Sequence, residues 1–359
     1  IYHVMYINLS THSEVMSIVE RKVGRIFSNE ERKIVVLTGC TDCSFMYLLN
    51  VLEKYSRYTF LYSTFSRGLL NVHDTVHFFT FFCRQDTNGV VWTDTSRYDL
   101  PMCTQVPKTT LNYATSTWNA ELMRKAGLHV HGIIPRPVDH EMAWSASQRV
   151  TTKKVDFVMV AHASRMYTKD IPRRLHKYVL YDGTKAYLDR KGLGLVIPVL
   201  RELGLWSTQH IQVRSNISYY DTVHKELTEE EKYEIYASSR WYLASSYVEG
   251  FGLPPVEAMA TGTPSVYINA HAFKDNLVGI PVDVEDVVEL DTPIGAHRFH
   301  IPKVQELKYA ITNALTMSKE EYDDTRYRAL ERSLQYRGDS VAELIDEAIS
   351  STISRLYNA

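Results

Sequence analysis

The stretch Glu249–Pro264 reads EGFGLPPVEAMATGTP and sets two carboxylates, Glu249 and Glu257, eight positions apart around a glycine-rich turn. The apolar run RWYLASSY (Arg240–Tyr247) leads into it with the composition of a buried strand. At the end of that run the chain breaks at Glu249-Gly250-Phe251-Gly252 and reopens as a helix near Pro254. The carboxyl ends of strands are where open α/β sheets bind ligands. Gly250 and Gly252 remove Cβ atoms where a ligand would approach the backbone, and Pro254 and Pro255 suit a first helical turn. Amides left unpaired at that turn would face an incoming anion.

Two readings of the glutamates stand side by side. A carboxylate in a first helical turn can offset the macrodipole or close a cap, which accounts for Glu257 but not for Glu249, since Glu249 precedes the turn and has no helix to cap. Alternatively, two carboxylates, each an acceptor for vicinal hydroxyls, flank donors for phosphate. A nucleotide sugar, with anionic phosphates between two polyols, has the matching form.

The segment resembles the Glu-x7-Glu signature of the retaining glycosyltransferases of family 4, within the glycosyl transferases group 1. The small-residue helix Ala258–Ala260, the stop at Gly262-Thr263-Pro264 and the strand SVYI (Ser265–Ile268) follow in the family's order. The resemblance implies an α/β chain of the GT-B fold: two Rossmann-like domains facing across a cleft, with a C-terminal helix crossing back to the N-terminal domain. It implies that Glu249 contacts the donor sugar and Glu257 holds the ribose hydroxyls, with Gly250, Phe251, Gly252 and Leu253 forming the donor loop.

Length and composition agree with two domains. At about 150 residues per domain, 359 residues suggest two cores, and 45% hydrophobic residues supply both. A formal charge of -2 argues against a nucleic-acid binder, which depends on phosphate neutralisation. No window reaches the roughly 20 apolar residues of a membrane span, and the start IYHVMYINLS lacks the basic flank of a signal peptide. The expectation is a soluble, cytoplasmic chain, with peripheral membrane attachment open because a lipid acceptor requires only a local surface. Cys40, Cys43, Cys83 and Cys103 form no disulfide scaffold in a chain of this size, and Cys40-x-x-Cys43 has no second pair at zinc spacing.

The pattern along the chain alternates. Residues 11–27 read as a helix, Lys33–Gly39 as a strand and Ser44–Tyr55 as a helix, with further strands at Tyr58–Thr64, Thr75–Phe82 and Gly89–Asp94. Such alternation indicates parallel sheets covered by helices. After Tyr113 a polar turn opens a helix that ends at Lys125-Ala126-Gly127, and His129–Asp139 is a strand followed by a proline-rich connector. Pro135-Arg136-Pro137-Val138-Asp139 resembles the family's interdomain passage, departing from it at the two central positions. The expected division is 1–138, 139–338 and a returning helix at 339–359. That helix sets Val341, Leu344, Ile345, Ala348, Ile349, Ile353 and Leu356 on one face.

The second domain should open with a buried strand at Phe157–Ala161. Arg165 follows it, and the family places an arginine there and a lysine before the next helix, together neutralising the donor diphosphate; a solvated surface charge is the commoner fate of one arginine. Lys191-Gly192 has the form of the family's helix start and is preferred to Lys169, with the intervening stretch read as an insertion. His162 and Arg190 are weaker members of the same edge. The turn after His210–Asn216 is assigned to the nucleobase through Ser215. The helix within Leu227–Arg240 is capped by Thr228, with solvent-facing acids and with Tyr233 and Tyr236 as packing residues. His77 is matched to the family histidine that approaches the sugar or acceptor, with His73 and His131 as alternatives.

What the resemblance implies is transfer from a UDP- or GDP-linked sugar to a hydroxyl of a glycan, lipid or protein acceptor. The anomeric configuration would be retained, with neither metal nor any cofactor beyond the donor. A nucleotide-sugar epimerase of similar fold and a non-catalytic nucleotide-sugar or glycan binder are the alternatives.

Overall fold

The computed structural model describes residues 5–6, 34–38, 44–63, 76–79, 89–93, 111–161, 165–166, 171–181, 186–214, 223–224, 227–292 and 295–357. The helix expected at 11–27, the four cysteines, His73, His162, Lys169 and Ser215 lie outside the described residues. The chain divides into two compact units, one made of 1–95, 100–138 and 336–359, the other of 96–99 and 139–335.

In the first unit, strands β1 (Met5–Tyr6), β2 (Ile34–Thr38), β3 (Thr59–Ser63), β4 (Val76–Phe79), β5 (Gly89–Thr93), β6 (Leu111–Ala114) and β7 (Gly132–Ile133) form a sheet in the order β1-β3-β2-β4-β5-β6-β7. Every neighbouring pair is parallel. The helix Ser44–Tyr55 connects β2 to β3 as the helical spacing predicts. The helix Thr117–Lys125 follows β6 behind Ser116, whose side chain accepts from the Asn119 amide at 3.1 Å, and the chain leaves it through Gly127 at φ 85°.

The C-terminal helix, Gly338–Tyr357, belongs to this first unit. Its residues Val341, Ala342, Ile345, Ala348 and Ile349 are buried in one cluster with Leu52, Phe60, Val90 and Trp92. Leu344 was expected on that buried face but is 41% exposed; the neighbours of Val341 and Ile345 that turn inward include Ala342 instead. Polar contacts fix the helix laterally: Ser56 Oγ donates to Asp346 at 2.5 Å and the Arg57 amide donates to the same carboxylate at 2.9 Å. A Cβ on Gly338 would stand 2.7 Å from Val51 Cγ1, so a side chain there would push the helix start away from Ser44–Tyr55. Just before the helix, Val138 pairs with Arg337 and its amide donates to Tyr336 O at 2.8 Å, so the outgoing and returning chains lie side by side.

The second unit carries β8 (Val155–Val160), β9 (Arg165–Met166), β10 (Leu180–Tyr181), β11 (Ala186–Asp189), β12 (Ile211–Arg214), β13 (Val223–His224), β14 (Ser239–Ala244), β15 (Ser265–Ile268) and β16 (Gly279–Val282). Six of these form a parallel sheet in the order β13-β12-β8-β14-β15-β16. Its central strands read as near-continuous apolar runs because helices cover both faces; Phe157 and Trp241 are fully buried, and Trp241 Nε1 donates to Ala314 O at 3.0 Å. The insertion between Lys169 and Lys191 supplies a 3-10 helix (Arg173–Tyr178) and the strands β10 and β11, which with the preceding β9 form a small antiparallel sheet, β10-β11-β9. A hairpin of β17 (Val284–Thr292) and β18 (Gly295–Pro302) follows the sheet.

Candidate active site

The Glu249 loop leaves β14 at its carboxyl end and remains buried through Phe251. Gly252 adopts φ 87°, and a Cβ there would meet Phe273 Cε1 at 2.5 Å, so glycine is required on both counts. The next helix runs Leu253–Ala260. Asn276 Nδ2 donates to Phe251 O at 2.8 Å, and His271 Nε2 donates to Ser246 O at 3.0 Å, which pins the loop from the following helix, His271–Asn276. Burial and the neighbouring His300 push the His271 pKa down to about 3, so its ring is neutral and Nε2 carries the proton that makes this bond.

Two cations reach the loop from the turn after β11. Arg190 Nη1 donates to Glu249 Oε2 at 2.6 Å and to Val248 O at 3.1 Å, while Lys191 Nζ donates to Glu249 Oε1 at 2.5 Å. Asp189 builds this turn: its carboxylate accepts from the Lys191 amide at 3.2 Å and from the Leu193 amide, the first of the helix Leu193–Glu202, at 3.1 Å. Gly192 makes the turn possible. It sits at φ 78°, and an added Cβ would fall 2.3 Å from Ser245 O. Ser245 Oγ in turn donates to Lys191 O at 2.8 Å, tying the lysine segment to the end of β14.

Electrostatics separate the two glutamates. Burial alone would push the Glu249 carboxyl up, but Arg190 and Lys191 outweigh it and hold the group well below the usual carboxylate range. For Glu257 burial wins. Lys232 Nζ donates to Glu257 Oε1 at 2.9 Å and Tyr236 Oη to Oε2 at 3.2 Å, but the same ammonium also bonds Glu229. One cation shared by two carboxylates leaves the Glu257 pKa at about 7, raised by burial, lowered by Lys232 and raised again by Glu229.

Glu249, Lys191, Gly252 and Pro254 line one cavity with Ser246 and Phe273. Its volume, about 10 Å³, is room for roughly one water. Glu257 does not line it: with 1% exposure, it sits beneath the helix among Lys232 and Tyr236. Of the two readings of Glu257, the cap falls: it is the fifth residue of the helix that begins at Leu253, past the first turn. The expected amide-lined turn is corrected: Pro254 and Pro255 carry no N–H, so the helix start lacks a full row of donors for an anion.

Other site residues fall as follows. Arg165 stands in β9 directly opposite Asp189, which brings its backbone beside the segment bearing Arg190 and Lys191; its side chain lies outside the described residues. His77 is in β4, and its ring likewise lies outside them. His131 Nδ1 accepts from the Asn112 amide at 3.0 Å and its ring meets that of His129 edge to face, a bracing role at the sheet edge. Arg190, ranked low on sequence, makes an ion pair with Glu249, and Tyr236, taken as packing, also bonds Glu257. Lys232 was missed; its i, i+4 spacing from Tyr236 on one helix is the signal that could have found it. Among the described residues, no group of three His, Cys, Asp or Glu side chains stands together as metal ligands would.

The paired parallel-sheet units are those of GT-B glycosyltransferases. WaaG, a glycosyltransferase involved in lipopolysaccharide biosynthesis, superposes with a TM-score of 0.54 at 11% identity, covering 88% of this chain and 99% of its own. Anabaena Alr3699/HepE, in a complex with UDP and glucose, gives 0.53 at 11% identity over 89% of this chain and 100% of its own. The family model described as glycosyl transferases group 1 matches residues 221–286, which contain both glutamates. "Putative glycosyltransferase 48" of Sulfolobus islandicus filamentous virus (isolate Iceland/Hveragerdi) is 30% identical over 318 residues, 88% of this chain and 95% of the relative. This chain belongs to the group 1 glycosyltransferases.

Proposed function

We propose that the chain moves a sugar from a UDP- or GDP-linked donor to a hydroxyl of a glycan, lipid or protein, with retention of configuration and without a metal. The observation that carries this reading is the contact of Lys191 and Arg190 with Glu249 at the carboxyl end of a parallel strand. In the free protein the three charges satisfy one another, and the cavity lined by Lys191 and Glu249 has room for about one water. A donor exchanges these partners: its diphosphate takes the two cations and its sugar hydroxyls take the Glu249 oxygens. The cations then serve the leaving group, whose negative charge grows as the glycosidic bond breaks.

In the step itself, the bond from the anomeric carbon to the diphosphate oxygen breaks with its electron pair going to the diphosphate. The acceptor oxygen bonds to the same face of that carbon, and its proton passes to the departing diphosphate oxygen. Arg165 on β9 and His77 on β4 are assigned to the diphosphate and the acceptor, and Glu257 to the ribose, once Lys232 and Tyr236 yield it. Gly250, Phe251, Gly252 and Leu253 form the donor loop, Ser215 is assigned to the base, and Lys169 is the alternative to Lys191 at the diphosphate. The structure of the HepE complex, with its UDP and glucose, is consistent with a nucleotide-sugar donor in this fold.

A panel of radiolabelled UDP and GDP sugars tests the reading. Label transferred to an acceptor, or slow hydrolysis of one donor, supports it; an epimerised donor, or tight binding without turnover, overturns it.

A further inference from the structure

A second cavity, of about 430 Å³, opens in the same unit at the amino ends of β8, β14 and β15, the opposite edge of the sheet from Glu249. That volume is within the roughly 300–1,000 Å³ of small-ligand sites. Four cations line it, Lys153, Arg240, Lys319 and Arg326, against a single carboxylate, Asp323, with the hydroxyls of Thr151 and Thr152 at the rim. Lys319 and Asp323 are paired at 2.7 Å, so three cations remain, one of them, Arg240, facing Asp156 at 3.8 Å from outside the lining.

Lys153 and Arg326 are the core of the cluster. Lys153 Nζ donates to Ala237 O at 2.8 Å and to Thr263 Oγ1 at 3.3 Å, and Arg326 Nε donates to Gly262 O at 3.1 Å. Both therefore close helix carboxyl ends, which is the plain structural reason for a cation at each place. It does not exhaust them. An ammonium has three N–H and a guanidinium five, and the Asp323 carboxylate stands 4.0 Å from Arg326, beyond hydrogen-bond reach. Burial and the like charge of Arg326 push the Lys153 pKa down to about 7. Lys153, half-buried, and Arg326, 38% exposed, stand together with like charge that Asp323, at 4.0 Å from Arg326, only partly offsets, an arrangement that an anion relieves.

We propose that this cavity is a binding site for a phosphomonoester, gripped by Lys153 and Arg326 and steered by Arg240. A phosphate offers several acceptor oxygens to a guanidinium fork and an ammonium, the pairing that makes charge-assisted bonds strongest. The site is separate from the proposed donor site and does not depend on that assignment.

The test is titration calorimetry in phosphate-free buffer with inorganic phosphate and glycerol phosphate, beside co-flotation with vesicles containing phosphatidic acid. Saturable binding that weakens at least about 10-fold in both Lys153→Met and Arg326→Gln, the loss of one charge-assisted bond, supports the site. A soluble ligand gives this result in the calorimeter, and a lipid headgroup gives it on vesicles alone. Binding by neither probe, or binding indifferent to both substitutions in variants whose circular dichroism and melting remain native, overturns the proposal.

Discussion

Lys191 Nζ and Glu249 Oε1 lie 2.5 Å apart although 58 positions separate them in the chain. Three short-range devices bring them together: the Asp189 carboxylate shapes the lysine turn, Gly192 lets that turn lie against Ser245, and Gly252 lets the glutamate loop lie against Phe273. The ion pair is thus a product of backbone geometry on two loops, and its chemistry can be altered without touching the sheet.

Glu249→Ala and Lys191→Ala should each lower turnover by on the order of 100-fold if these groups act on charge developing in the transition state. Removing one member of a buried pair also costs about 3–5 kcal/mol. The double variant should therefore lose less stability than the two single losses added together. Urea unfolding of the three variants, read with donor hydrolysis rates, checks both statements; wild-type rates in either folded single variant remove that residue from the site.

Gly192→Ala should destabilise by about 1–3 kcal/mol through the positive φ alone, with the Ser245 carbonyl contact adding to it. Activity should fall with it because the displaced turn carries Lys191. Gly204→Ala, at φ 71° with nothing within 4 Å of the new Cβ, is the control for conformational cost without a clash. Equal melting points for the two variants would show that the Ser245 contact is unimportant.

The two glutamates should give opposite pH dependences. Glu257, raised in the folded state to about 7, binds a proton that the unfolded chain releases above its ordinary value of 4.5. Its contribution is therefore fully present below about pH 4.5 and is lost as pH rises towards about 7. Glu249 is depressed, so its contribution is present above 4.5 and is lost as pH falls below that value. Unfolding free energies measured from pH 4 to 8 should show the falling component vanish in Glu257→Gln and persist in Glu249→Gln.

Ile345→Ala, at a fully buried position of the C-terminal helix, should cost about 2–5 kcal/mol. Leu344→Ala, one position away and 41% exposed, should cost far less. Chemical denaturation of both variants decides whether the helix is held by the face seen here.

Much of this was legible beforehand. The strand and helix pattern around Ser44–Tyr55, β8 and Leu253–Ala260 follows from apolar periodicity broken by glycine and proline, and the glutamate spacing marks the loop that carries Glu249. What escaped reading depends on partners distant in sequence. Nothing local tells that Arg190 shares Glu249 with Lys191, or that Lys232, three residues from Glu229, also reaches Glu257. The amphipathic C-terminal helix misled at Leu344 because a helical stripe is wider than the groove that receives it. The amide-lined turn was overdrawn because proline fits a first turn by lacking the very group that would bind an anion.

The C-terminal helix supplies part of the core of a unit whose described strands all lie before residue 138. During synthesis, Phe60, Val90 and Trp92 must wait for Val341 and Ile345 while the whole of 139–335 is translated, roughly 10–40 s at about 5–20 residues per second. Residues 1–138 therefore emerge with an unsealed apolar face that a chaperone could shield. Ribosome-stalled chains ending before and after the Gly338–Tyr357 helix should differ in protease resistance at that face, and equal resistance would mean that the sheet seals without it.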